Sequence, residues 1–167
     1  MLSFEDEFPS PNRSAAMPMT PTLLLAEDHD RFKEFFQQFE DAQSFSEKVE
    51  IFRRFAAELK VHSKLEEEIF YPEARAAIDD EEIFDESVQE HHVCDLLVAE
   101  LENMNPTDEA GEKEFEAKFK VLRENVEHHM DEEELEMFPE VDESNLDAPV
   151  LLEKMMRKKE ELQHQAA

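Results

Sequence analysis

The sequence predicts an all-α protein, an antiparallel up-down four-helix bundle with a short additional C-terminal helix. Three observations carry this. Gly occurs once, at Gly111, and so little Gly argues against hairpin-rich β folds, glycine-rich phosphate loops and the dinucleotide fingerprint. The helix formers Glu, Lys, Ala, Leu and Met dominate the composition. Four successive segments space their apolar side chains by threes and fours, the period of a helix with one buried face. At 167 residues the chain suits one domain with a sizeable core.

Residues 1–21 hold Pro9, Pro11, Pro18 and Pro21 among Ser, Asn and acidic residues and read as a flexible arm. The first helix starts near Thr22 and runs to about Ala42, with the stripe Leu25, His29, Phe32, Phe36, Phe39. The second starts near Ser44, where SFSE offers a capping box with Glu47. Its stripe is Phe52, Phe55, Leu59, His62, Glu66, Ile69, and Pro72 marks its end or a kink. The third runs from near Asp80 to about Met104, with Phe84, Val88, His91, Asp95 and Val98 in its stripe. The fourth starts near Thr107 or Asp108 and reaches Pro139, with Phe115, Phe119, Leu122, Val126, His129, Glu133 and Met137. The bundle thus spans residues 22–140. Residues 141–167 form a linker and an amphipathic helix of about 149–163, carrying Leu151, Leu152, Met155, Met156 and Leu162.

Charge excludes whole classes of partner. With 17 basic and 45 acidic residues the net charge is −28, a field that repels nucleic acid and anionic membrane surfaces. Most of these carboxylates read as a solvated surface. Apolar runs are too short to span a bilayer. A single cysteine, Cys94, allows no intrachain disulfide and fits a reducing, cytoplasmic setting.

One phrase occurs twice. HSKLEEEIFYP, residues 62–72, parallels HMDEEELEMFP, residues 129–139: His, then Glu four places on, then Pro ten places on. Residues at i and i+4 share a helix face, so His62 and Glu66 can reach one centre, as can His129 and Glu133. Each stripe contains one His, and two also contain a Glu. The bland reading makes each His a core residue bonded to a backbone carbonyl and each Glu a surface residue. Four stripes with the same feature weigh against it. A buried ionised Glu is costly unless paired or bound to metal. Imidazole and carboxylate together suit iron, zinc, copper or manganese. Helical phase selects His129 over His128, whose own stripe is mostly polar. Phase alone leaves His91 and His92 open, with His91 preferred because Phe84, Val88 and Val98 share its face. His164 falls in the tail and reads as exposed.

EDHDRF at 27–32, HSKLEEEIFYP at 62–72, EHHVCDLL at 90–97 and EHHMDEEELEMFP at 127–139 resemble the four helices of a hemerythrin-like (HHE cation-binding) domain, over roughly residues 22–140. The resemblance implies a bundle around two non-haem iron ions joined by an oxo or hydroxo bridge. His29, His62, His91 and His129 would be terminal ligands, and Glu66 and Glu133 would bridge. Two departures stand out. Oxygen-carrying members have a second His one turn along the third helix, where this chain has Asp95, which could ligate iron, bind a water or pair with a neighbour. They also space the fourth-helix His and carboxylate by five, which His128 and Glu133 would satisfy. Fewer His and more oxygen ligands favour the oxidised state by ligand hardness, which weakens the case for reversible carriage.

The function expected is therefore a non-haem di-iron protein that binds or reacts with O2 or a related small oxidant, peroxide or NO, in sensing, storage or detoxification. Whether that amounts to enzymatic turnover is open. The alternative is a metal-free acidic helical protein-interaction module. A ferritin-like oxidase is disfavoured, because such sites place Glu before His as E-x-x-H. The chain's one such pair is Glu161 with His164, in the tail.

Overall fold

The computed structural model describes residues 18–166. Helix α1 spans Pro21–Asp41. Helix α2 spans Phe45–Leu65 and continues through a π turn, Glu66–Phe70, into a last α turn, Tyr71–Arg75. Helix α3 spans Glu81–Asn103. Helix α4 spans Glu109–Glu132, passes through a second π turn, Glu133–Met137, and ends with Phe138–Glu143. Helix α5 spans Ala148–Ala166. Of the arm expected over residues 1–21, residues 1–17 lie outside the described residues.

The helix starts follow from local chemistry. Thr20, Ser44, Asp80 and Asp108 each accept a bond from the backbone N–H three residues on, satisfying a donor that the helix leaves orphaned. At Ser44 the reciprocal half of the capping box reaches one residue further out than expected, with Gln43 N–H donating to Glu47 at 2.9 Å.

Pro72, where an end or a kink was expected, and Pro139 do not end their helices, which continue to Arg75 and Glu143. Each sits just after a π turn, in which the Tyr71 N–H bonds Glu66 O and the Phe138 N–H bonds Glu133 O, five residues back. The widened turn takes up the mismatch that a proline lacking its N–H introduces. It also changes helical phase. In an α-helix, residues five apart point ~140° apart; across a π turn they come close to one face. Phe70 is therefore fully buried in place of the expected Ile69, which is half-buried.

The α1–α2 and α3–α4 hairpins pack into one bundle. The core has two apolar layers. One is built on Phe32, Phe36, Phe52, Phe55, Phe115, Phe119 and Leu122, and the other on Leu25, Leu65, Phe70, Phe84, Phe138 and Met155. Helix α5 lies against α1, α2 and the first π turn and adds Leu151, Met155 and Leu162 to the buried surface. The third stripe differs from expectation. Its buried residues are Phe84, Ser87, His91, Cys94, Val98 and Leu101, so Cys94 faces in while Asp95 is exposed and Val88 half-buried.

Candidate metal centre

Between the two apolar layers lies a polar one. Six of its residues, His29, His62, Glu66, His91, His129 and Glu133, are each at most 5% exposed. These are the six residues singled out in the sequence, and the structure brings all six together. They form two adjoining sets. Donor atoms of His29, His62, Glu66 and Glu133 lie within 4.8 Å of one another, as do those of Glu66, His91 and His129. Each hairpin supplies one His pair, His29 with His62 and His91 with His129.

Glu66 spans both sets. Its Oε1 is 3.0 Å from His62 Nε2 and its Oε2 is 3.1 Å from His91 Nε2. Glu133 Oε2 reaches both hairpins as well, 3.3 Å from His29 Nε2 and 3.4 Å from His129 Nε2. Ligands ~2.1 Å from one ion at tetrahedral or octahedral angles stand ~3.0–3.5 Å apart. The spacing therefore suits a shared cation in the first set; in the second, His91 Nε2 lies 3.0 Å from His129 Nε2 and 3.1 Å from Glu66 Oε2, while His129 Nε2 stands 3.9 Å from that oxygen. A second observation tests the fit. His29 Nε2, His62 Nε2, Glu66 Oε1 and Glu133 Oε2 are buried and make no hydrogen bond, though they lie 3.0–3.3 Å apart in pairs. Buried polar atoms are nearly always satisfied. Four orphaned atoms that share one layer fit a metal ion.

Every imidazole is anchored from behind by a carboxylate on Nδ1. Glu134 holds His29 at 2.8 Å, Asp28 holds His62 at 3.3 Å, Glu67 holds His91 at 2.8 Å and Glu90 holds His129 at 2.8 Å. Among the described residues no ring nitrogen of the four bonds a backbone carbonyl, as the bland core reading would require. Such anchoring fixes the ring and turns Nε2 inward. The pattern is regular. Asp28 and Glu90 each precede a site His and support the next helix's His. Glu67 and Glu134 each follow a site Glu and support the other hairpin's His.

Tyr71 completes the layer. Its hydroxyl donates to Glu133 Oε1 at 2.8 Å and sits 3.4 Å from both Glu66 Oε2 and His91 Nε2. The matching residue in the other half is Phe138, five places after Glu133 as Tyr71 is after Glu66. Each stacks on a site imidazole, Tyr71 on His91 and Phe138 on His29, with ring centroids 5.7 Å apart in both pairs.

The electrostatics are those of tightly paired charges. Burial opposes a charge on His62 and His91, but the carboxylates around each outweigh it and lift both to about 9. The same balance raises His29 and His129. Burial would likewise raise Glu66, yet His62, His129 and His91 hold it well below the usual carboxylate range. Burial and the two facing carboxylates push the Tyr71 phenol well above its ordinary value. Without metal, protons and carboxylates neutralise one another here, and a cation binding at Nε2 must displace those protons.

Other sequence candidates fall elsewhere. His128 and His164 are exposed, with side chains 64% and 80% accessible, and His92 is exposed too. Asp95 points outward and joins neither set, because the buried phase of α3 runs through Cys94. Helical periodicity does not single out the four anchoring carboxylates or Tyr71. Their signal was adjacency, since each anchor is the neighbour of a site residue.

The hemerythrin HHE cation-binding domain model matches residues 20–141. No curated protein matches the chain. A crystal structure of a hemerythrin HHE cation-binding domain-containing protein from Mycobacterium kansasii is similar in fold, with a TM-score of 0.72 at 22% identity, covering 89% of this chain and 90% of that one. Helix α5 lies beyond the matched segment, and among the described residues no helix is long and apolar enough to cross a membrane. The four-helix core, with its paired His and Glu layer, belongs to the hemerythrin HHE cation-binding domain family.

Proposed function

We propose that His29, His62, Glu66, His91, His129 and Glu133 hold two non-haem iron ions, and that the chain binds or reacts with O2 or a related small oxidant, peroxide or NO. Sensing, storage and detoxification are the roles that such chemistry serves. The observation that carries this reading is the set of four buried donor atoms, on two His and two Glu, that face one another at 3.0–3.3 Å without a hydrogen bond. Iron held there would supply one-electron redox chemistry.

The chain's own residues have separable parts in it. Glu66, facing His62 with one oxygen and His91 with the other, would serve a cation on either side. Glu133 Oε2 faces one His from each hairpin, and its other oxygen is tied to Tyr71. The Tyr71 hydroxyl is an uncharged donor that keeps its proton at Glu133 Oε1. Phe32, Phe70, Phe84 and Phe138, all nearly or fully buried, keep bulk water out and limit side reactions. The ligand set is four imidazoles and two carboxylates, poorer in nitrogen than that of oxygen-carrying relatives. It favours oxidation over reversible carriage.

The test is elemental analysis of aerobically purified protein with an ultraviolet–visible spectrum of the same sample. About two irons per chain with near-ultraviolet charge-transfer bands are expected of such a bundle. Anaerobic reduction followed by O2 then separates carriage from oxidation. No metal, even after reconstitution with ferrous iron, would overturn the reading and leave an acidic helical interaction module.

A further inference from the structure

The outer face of the α3–α4 contact carries a third His–carboxylate group. His128 Nε2 lies 3.3 Å from Glu132 Oε1, one turn along α4, and 3.6 Å from Glu90 Oε1 across on α3. Donor atoms of all three lie within 4.8 Å of one another. The separations are close to those that a shared cation imposes, ~3.0–3.5 Å for ligands ~2.1 Å from one ion. The side chains are 64% exposed at His128, 30% at Glu132 and 18% at Glu90. The group therefore opens to solvent while its carboxylates are partly held.

The other half of the bundle shows what is unusual here. Glu90 corresponds to Asp28: each precedes a site His, and each accepts from Nδ1 of the next helix's His. Asp28 uses its second oxygen to take the Lys159 ammonium at 2.6 Å. The second oxygen of Glu90 faces His128 and not an ammonium. Among the described residues neither Glu90 nor Glu132 pairs with a Lys or Arg. The same electrostatic demand is met in one half by a permanent cation and in the other by an N/O ligand set.

We propose that Glu90, His128 and Glu132 form a second, solvent-facing site for a divalent cation, outside the buried layer but sharing Glu90 with it. One imidazole and two carboxylates suit a borderline ion such as zinc, ferrous iron or manganese. An ion on Glu90 Oε1 draws charge from Oε2, the atom that anchors His129, so its binding is felt at the buried layer. The site itself stands on its own geometry. This coupling rests on the buried reading above.

Zinc titration by calorimetry on the full chain tests it, with wild type, His128→Ala, Glu132→Gln and Glu66→Gln compared. Wild type and Glu66→Gln are expected to show a zinc-binding phase that His128→Ala and Glu132→Gln lose or weaken at least ~10-fold, since even groups that only support a ligand are worth that much. Both outer residues are surface side chains, and circular dichroism checks that the variants fold. Equal stoichiometry and affinity in wild type, His128→Ala and Glu132→Gln would overturn the outer site, whatever Glu66→Gln does. Loss in Glu66→Gln of a separate phase that His128→Ala retains reports on the buried centre alone.

Discussion

The Tyr71 hydroxyl donates to Glu133 Oε1 at 2.8 Å, from α2 of one hairpin to α4 of the other. Five places after Glu133, the other half has Phe138, so this bond is an asymmetry in an otherwise repeated design. Tyr71→Phe would make the halves alike. The variant should fold, with a stability loss of ~1–2 kcal/mol for one buried bond. It should bind iron ~10-fold or more weakly, because Glu133 loses the group that orients it. Unchanged iron affinity would reduce Tyr71 to a packing residue.

Glu66→Gln and Glu133→Gln keep side-chain volume and remove the charge proposed to bridge two ions. Iron content after reconstitution should fall sharply in both, with affinity down by more than ~100-fold. Full iron loading in either variant would contradict its bridging role.

Proton competition gives a pH signature. His62 and His91 are raised to about 9 in the folded, metal-free chain, against an ordinary ~6.5 when unfolded. Their pairing therefore stabilises the metal-free fold fully below pH ~6.5, and this contribution is lost as pH rises through about 9. Thermal melts of metal-free protein should show Tm falling over that window. Iron affinity should rise across it, because binding releases the same protons. A Tm that climbs toward pH 9 would contradict the pairing.

Lys159 ties α5 to the buried layer through Asp28 and His62. Its side chain is 17% exposed and that of Asp28 9% exposed, so solvent screens the pair little. Lys159→Met keeps the apolar stem and removes the charge. A loss of ~1–3 kcal/mol is expected, read as a lower urea midpoint. No shift would show that α5 is held by its apolar face alone.

Phe119 stacks on Phe39 at 3.9 Å between ring centroids and also meets Phe36, Phe52 and Phe55. Phe119→Ala should cost ~3–5 kcal/mol, again in urea. This is a core effect, and it should appear equally with and without iron.

The stripes were legible in the sequence because helical period and burial agree along most of their length. Leu25, His29, Phe32, Phe36 and Phe39 all face inward as the spacing requires. So do Phe115, Phe119, Leu122, Val126, His129 and Glu133. Legibility failed where the backbone leaves the ideal period. The π turns swap Phe70 in for Ile69 and bring Tyr71 onto the face of Glu66, a move that strict α-helical spacing forbids. On α3 the expected stripe drifted by one position at its centre, taking Asp95 for an inward residue where Cys94 is buried. The anchors of the imidazoles were hidden for another reason. Glu67, Glu90 and Glu134 look like any of the chain's many surface acids, and only the tertiary pairing sets them apart.

Two of the four anchoring bonds run crosswise, from Glu67 on α2 to His91 on α3 and from Glu134 on α4 to His29 on α1. Neither hairpin alone can orient its own pair of rings. The layer therefore exists only while the two hairpins are docked, and a brief separation of them dismantles both sets of donors at once. Exchange of any ions held there and local opening of the fold would become one event.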